Sequence, residues 1–216
     1  MNQIRYTLLS DGSSDRALIP LLSWLLREHC GDIAIQSEWA DLHRLRNKPN
    51  NLAEKIQFAL DLYPCDLLFI HRDAEKQPFE FRVSEIDSAI SAARRKKVAI
   101  PLSVRVIPVR MQEAWLLIDE VAIRHAVGNP HGRQPLTLPG KSKLEALPDP
   151  KQILYDLLKE ASELSGRRLA SLQVNFYAQR VPEFIPSFAS LRQLSAFQRL
   201  ESELEKVISE QGWHNR

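Results

Sequence analysis

The sequence predicts an α/β fold, a Rossmann-like and mostly parallel central sheet with flanking helices and a helical C-terminal extension. Three observations predict it. Short apolar runs alternate with helix-period segments four times between Ile4 and Ala126, the pattern of a largely parallel sheet covered on both faces. After Gly128 the texture changes to a Pro- and Gly-rich stretch, and from Pro150 onwards the pattern is helical alone. With 216 residues, 44% of them hydrophobic and 26% charged, the chain is globular and long enough to bury a core without a staple.

The elements follow in order. Ile4 to Ser10 is a short apolar strand that stops at the turn signal Asp11-Gly12-Ser13-Ser14. Ala17 to Glu28 has a helical period, with Leu18, Leu21, Leu22, Leu25 and Leu26 on one face. Ile33 to Ile35 reads as a short second strand, Arg44 to Asn51 as a loop and Leu52 to Leu62 as a helix. Asp66 to Ile70 is a buried strand ending at His71-Arg72-Asp73. A helix over Val83 to Lys97, a strand over Leu102 to Val109 and a helix over Glu113 to Ala126 complete the first unit. The expected organisation is an α/β core over 1–128, a loop over 129–149 and a helical extension over 150–216 packed on the core. Pro150 suits the first turn of the helix running to about Leu164, and a helical tail from Leu169 to Glu210 is broken near Pro182 and Pro186.

Charge and cysteines narrow the function classes. Lys plus Arg total 29 against 27 Asp plus Glu, a net charge of +2 that allows a local basic groove without marking a nucleic-acid coat protein. Cys30 and Cys65 have no metal-ligand spacing and read as small core residues. No positively charged leader precedes the first strand, and no apolar run approaches the ~18 residues of a membrane span, so a cytoplasmic, membrane-free protein is expected. There is no P-loop and no dinucleotide fingerprint.

In parallel sheets ligands sit outside the carboxyl ends of the strands, and there the chain places acids. Asp11 closes the first strand and Asp15 falls in the first turn of the next helix; Asp73 and Glu75 follow the third strand; Glu113 follows the fourth. Several carboxylates held close suit a hard cation such as Mg²⁺ or Mn²⁺, which keeps waters of its own. In extended chain an acid-x-acid pair points both side chains to one side. One or two such metals suit displacement at a phosphodiester. An acid in a first helical turn also serves the helix dipole, so Asp15 and Glu113 have a structural role open to them as well. Arg72 is a candidate for steadying a phosphate, with His71 beside it for proton transfer. Arg110, Lys141 and Lys143 are candidate substrate contacts, against the alternatives of a salt bridge for Arg110 and solvated charge for the lysines.

At these residues the sequence resembles the Toprim superfamily, whose pattern is an acid after the first strand, in a turn with glycine, and an Asp-x-Asp pair after a later strand. The first element is Leu9-Ser10-Asp11-Gly12-Ser13-Ser14-Asp15 and the pair is Asp73-Ala74-Glu75. It also looks like a bacterial family of small Toprim-like proteins of unknown function, through Phe69 to Glu75, Pro108 to Asp119, Gly128 to Gly132, Leu147 to Lys151 and Gly166 to Arg168. Such proteins are similar to the nuclease half of ATPase-plus-Toprim phage-defence systems, including the overcoming-lysogenization-defect type. The resemblance implies a Toprim-like core and a metal-dependent nuclease acting on DNA or RNA. Its metal would be held by Asp11, Asp15, Asp73, Glu75 and Glu113, with Arg72 in the catalytic set. It further implies an ATPase partner and leaves self-association open. The pattern usually has Glu at Asp11 and Asp at Glu75, swaps that keep the charge and move each carboxylate by about 1.5 Å. The non-enzymatic alternative is a degenerate Toprim-like module that binds a partner ATPase or nucleic acid.

Overall fold

The computed structural model describes residues 3–213. Its centre is a four-stranded sheet, β1 (Gln3–Leu9), β2 (Ala34–Trp39), β3 (Leu67–His71) and β4 (Leu102–Val106), in spatial order β2-β1-β3-β4 with every pair parallel. The helices of the α/β part are α1 (Leu18–Cys30), α2 (Leu52–Leu62), α3 (Phe79–Arg95) and α4 (Glu120–Ala126). The C-terminal part adds α5 (Pro150–Ser162), α6 (Gly166–Ala170), α7 (Val174–Arg180) and α8 (Ser195–Gln211). The architecture is therefore Rossmann-like, and the outermost residues of the expected units, 1–2 and 214–216, lie outside the described residues.

The two-residue period of the strands sorts the core into two layers. Ile4, Tyr6 and Leu8 of β1 and Leu67 and Phe69 of β3 face the layer that contains α1. Leu9, Leu68 and Ile70 face the opposite layer, with Ile56 of α2 and Ile86 and Ile90 of α3. Every residue of β3 is buried, as a central strand requires. In β2 exposed residues alternate with half-buried ones, so Gln36, Ser37 and Glu38 continue an edge strand that the apolar pattern alone shortens to Ile33–Ile35.

The C-terminal helices are part of the same core. Phe197, Leu200, Leu204 and Ile208 of α8 join the α1 layer, and α8 packs on β4 and α1. The helix expected over Glu113–Ala126 is broken. A 3-10 turn spans Gln112–Leu116, and α4 starts afresh where Asp119 caps it, Oδ1 accepting from the Ala122 N–H at 2.9 Å. The tail is likewise several helices, α6 to α8, rather than one with two breaks. Asp149 caps α5 through the Gln152 N–H at 2.9 Å, with Pro150 in the first turn.

Much of the stretch 129–149 is pinned. Buried Arg124 donates to Glu120 Oε1 at 2.7 Å and to the Gln134 carbonyl, while Asn129 donates to the Ala161 carbonyl at 2.9 Å. A methyl group on Gly132 would lie 2.6 Å from both the Arg124 guanidinium and the Asn129 amide, which explains glycine at that position. Among the described residues no helix is long and apolar enough to cross a membrane.

Candidate functional site

The order β2-β1-β3-β4 makes the chain leave β1 towards one side for β2 and towards the other for β3. A crevice follows at the carboxyl ends of β1 and β3, the usual ligand position in an open parallel sheet. Two sets of polar side chains meet there, on opposite faces of the sheet edge, placed by strand alternation and by the turns that follow the strands.

The first set lies on the α1 face. A 3-10 turn over Ser13–Ala17 carries Asp15 inward, leaving it 7% exposed. Its Oδ2 accepts from the Gly12 N–H at 2.9 Å, and its Oδ1 accepts from Gln112 Nε2 at 2.8 Å and Ser14 Oγ at 3.2 Å. His71, on the same face as Phe69, is buried with Nδ1 3.0 Å from the Val106 carbonyl. A carbonyl only accepts, so Nδ1 carries the proton and Nε2 faces the acids. That nitrogen lies 3.5 Å from Asp73 Oδ1 and 3.9 Å from Asp15 Oδ2. Asp73 Oδ1 also accepts from the Gln112 N–H at 3.0 Å. Glu113 is buried beside it, with Lys151 Nζ at 3.8 Å.

Burial without full neutralisation shows in the acidities. Desolvation pushes Asp73 up to about 6, the His71 ring opposes this, and the charges of Glu113 and Asp15 add to it. Glu113 is raised too, chiefly by burial; its own backbone N–H and Lys151 pull the other way. The side-chain oxygen of Gln112, Oε1, is buried and has no hydrogen-bond partner among the described residues. An orphaned acceptor among three carboxylates is a donor set of hard oxygens, and it fits a cation of the Mg²⁺ or Mn²⁺ kind.

The second set lies on the α2 and α3 face. Asp11, aligned with Leu9, pairs with Lys55 Nζ at 2.7 Å and with Arg72. Arg72 also holds Glu85 at 2.7 Å, Glu85 holds Arg82 at 2.8 Å, and Arg82 Nη2 lies 3.8 Å from Glu75. The extended geometry that would align Glu75 with Asp73 is absent. Glu75 has φ +55°, in the left-handed region, its N–H donates to the Arg110 carbonyl at 3.0 Å, and its side chain is 63% exposed.

Of the acids singled out in the sequence, the structure gathers Asp15, Asp73 and Glu113, and places Asp11, Glu75 and Arg72 in the ion-paired chain. Arg110 is half-buried and makes no ion pair among the described residues. Lys141 and Lys143 are exposed in a 3-10 turn over Lys141–Ala146. Gln112 and Lys151 were not legible as site residues. Lys151 carried one signal: a cation in the first turn of α5 opposes the helix dipole, a local rule broken without a local gain.

A second cluster is more tightly gathered. Among the described residues, His29, Glu201 and Glu205 are the group whose candidate ligand atoms all lie within 4.8 Å of one another. Arg192, however, donates to both Glu201 oxygens at 2.9 and 3.1 Å, and His29 Nε2 takes one of them at 2.8 Å, so this is a neutralised clasp between α1 and α8. The switch-point acids are spaced more widely, so a cation among them would retain water in its shell. Compared with known proteins, the chain matches no family model, no curated protein and no solved structure.

Proposed function

We propose that the switch-point cluster is a divalent-metal site for phosphodiester hydrolysis, the chemistry of a Toprim-like nuclease, with Mg²⁺ or Mn²⁺ as cofactor and nucleic acid as substrate. One observation carries this reading. Three acids from three separate segments, buried Asp15 and Glu113 and half-buried Asp73, converge with Gln112 Oε1, which has no partner among the described residues, and without an ion-paired arginine among those residues. Such an arrangement destabilises the bare protein and is relieved by a cation.

In this reading Asp15, Asp73 and Glu113 hold the metal, directly or through its waters, and Gln112 fixes Asp15 and Asp73 relative to each other through its side-chain and backbone N–H groups. The bound cation would polarise the phosphoryl oxygens and acidify a water. His71 has its Nδ1 proton held by Val106, so Nε2 is turned towards the acids and placed to hold or pass on a proton beside Asp73. Lys151 reaches Glu113 from the open side and is placed to meet a substrate phosphate. Arg72, held by Asp11 and Glu85, orders the strand ends instead.

Calorimetric titration of Mn²⁺ tests the proposal. The wild type should bind, Asp73→Ala should not, and the variant's circular dichroism should be unchanged. A wild type that binds no Mn²⁺, or an Asp73→Ala variant that binds it equally, sinks the metal site and leaves the non-catalytic docking module as the better reading.

A further inference from the structure

Two cavities lie along α7, and the inner one reaches the acid cluster at Glu113. The inner one, about 240 Å³, is lined by Ser13, Gln112, Glu113 and Lys151, with Asn175 and Gln179 of α7. The outer one, about 490 Å³, is lined by Arg16, Trp39, Phe176, Gln179 and Arg180 among others. Ala17 and Gln179 border both, so the two are neighbours, and a strand lying over Gln179 would reach from one to the other. Residues four apart share a helix face, and α7 uses this twice: Asn175 and Gln179 turn to the inner cavity, Phe176 and Arg180 to the outer.

The two differ in chemistry. The inner cavity is polar, with one cation, Lys151, facing the acids where a metal and a phosphate would meet. The outer cavity is polar as well, but it is balanced in charge and adds two aromatic rings, Trp39 and Phe176. Arg16 and Arg180 stand against Glu38 and Glu183, with Arg180 and Glu183 paired at 3.8 Å. Phe176 is 55% exposed, with the Arg180 guanidinium 5.8 Å from its centroid and the Tyr177 ring 5.4 Å away. Trp39 is fixed by its Nε1–H donating to Ser10 Oγ at 3.0 Å. A rigid indole and an open phenyl ring beside a phosphate-binding pocket are the means by which proteins hold unpaired bases.

We propose that this pair of cavities binds two consecutive nucleotides of a single strand, the phosphate and sugar of one in the inner cavity and the base of its neighbour against Phe176 and Trp39 in the outer. The inference rests on the phosphodiesterase reading and adds the strandedness of the substrate. Cavities of a few hundred Å³ admit a group of about nucleotide size and not a stacked duplex. A paired base would also have to leave its stack to reach Phe176.

Fluorescence anisotropy with labelled oligothymidylate, oligouridylate and a duplex of equal length tests this, in EDTA and in Ca²⁺. A single strand should bind at least about tenfold tighter than the duplex, and Phe176→Ala should weaken it by about tenfold, while Phe176→Trp keeps the affinity. Because the Phe176 side chain is exposed and touches none of the three acids in either cavity lining, its variants should fold and bind Mn²⁺ as the wild type does. Equal or tighter duplex binding, no binding of either form, or a Phe176→Ala affinity within twofold of wild type would each overturn the proposal. Loss of the metal reading looks different: Mn²⁺ binding fails while strand binding and its dependence on Phe176 persist.

Discussion

Asp11 and Asp15 stand four residues apart and end on opposite faces of the same sheet edge, in opposite electrostatic company. Asp11 is half-exposed and touches two cations, Lys55 and Arg72. Asp15 is buried with amide and hydroxyl donors, and its charged neighbours are two further acids and a histidine. Asp73 and Glu75 divide in the same way, one towards His71 and one towards Arg82. Acids that a protein neutralises for itself hold structure together. Acids buried with fewer cations than charges lower stability, which is the ground for proposing a use for them beyond folding.

The largest expected effect tests that division on activity. Asp73→Ala or Asp15→Asn should lower metal-dependent cleavage by about 100-fold or more, as loss of a positioned reacting group does. Asp11→Asn should cost less than about tenfold, because it disturbs only strand-end order. Single-turnover cleavage of a labelled single strand in Mg²⁺ measures both. An Asp11→Asn loss as deep as that of Asp73→Ala would move the chemistry to the ion-paired face.

This outcome also bears on how much of the site the sequence could reveal. Strands and helices were legible because the hydrophobic period survives burial, as in α2, whose bounds Leu52 and Leu62 match the pattern. Acids at strand ends were legible for the same reason: once β1 and β3 are located, Asp11, Asp15, Asp73 and Glu75 must lie at one edge. Which face each occupies depends on two details that composition does not carry. One is the turn at Glu75, a non-glycine residue at positive φ, which ends the alternation that would have kept it beside Asp73. The other is the supply of cations by α2 and α3, since Lys55, Arg82 and Glu85 form their network only when the helices pack. Lys151, Asn175 and Gln179 reach the site by tertiary folding alone, from helices that in sequence look like an appendage.

A smaller effect, on stability, follows from the acidity of Asp73. Its carboxyl titrates near 6 in the folded chain and near 3.8 when unfolded. Between these values the folded state binds more protons, so stability falls as pH rises through that window and stays lowered above it. Asn cannot ionise, so metal-free Asp73→Asn should match wild type near pH 4 and exceed it by roughly 2–3 kcal/mol at pH 7. Urea denaturation in EDTA across that range measures the gap, and saturating Mn²⁺ should close or reverse it by stabilising the wild type alone. A gap that is constant with pH would mean that Asp73 is already compensated.

The smallest effect belongs to the ion-paired face, and its smallness is itself diagnostic. Removing the Arg72 charge with Arg72→Met leaves Asp11 with Lys55 and Glu85 with Arg82, so neither acid is stranded. Asp11→Asn likewise leaves Arg72 bonded to Glu85. Partly exposed pairs of this kind contribute about 0–1 kcal/mol each, and the redundancy keeps either single change at the low end. The double variant Arg72→Met with Lys55→Met removes both cations from Asp11, and its cost should exceed the sum of the singles. Added salt should shrink that excess, because Asp11 is 45% exposed and its attraction to both cations is screened. Urea melts at low and high salt give the four stabilities of the cycle. Strict additivity would show that Arg72 and Lys55 act on Asp11 independently and that the chain of charges is a set of separate pairs.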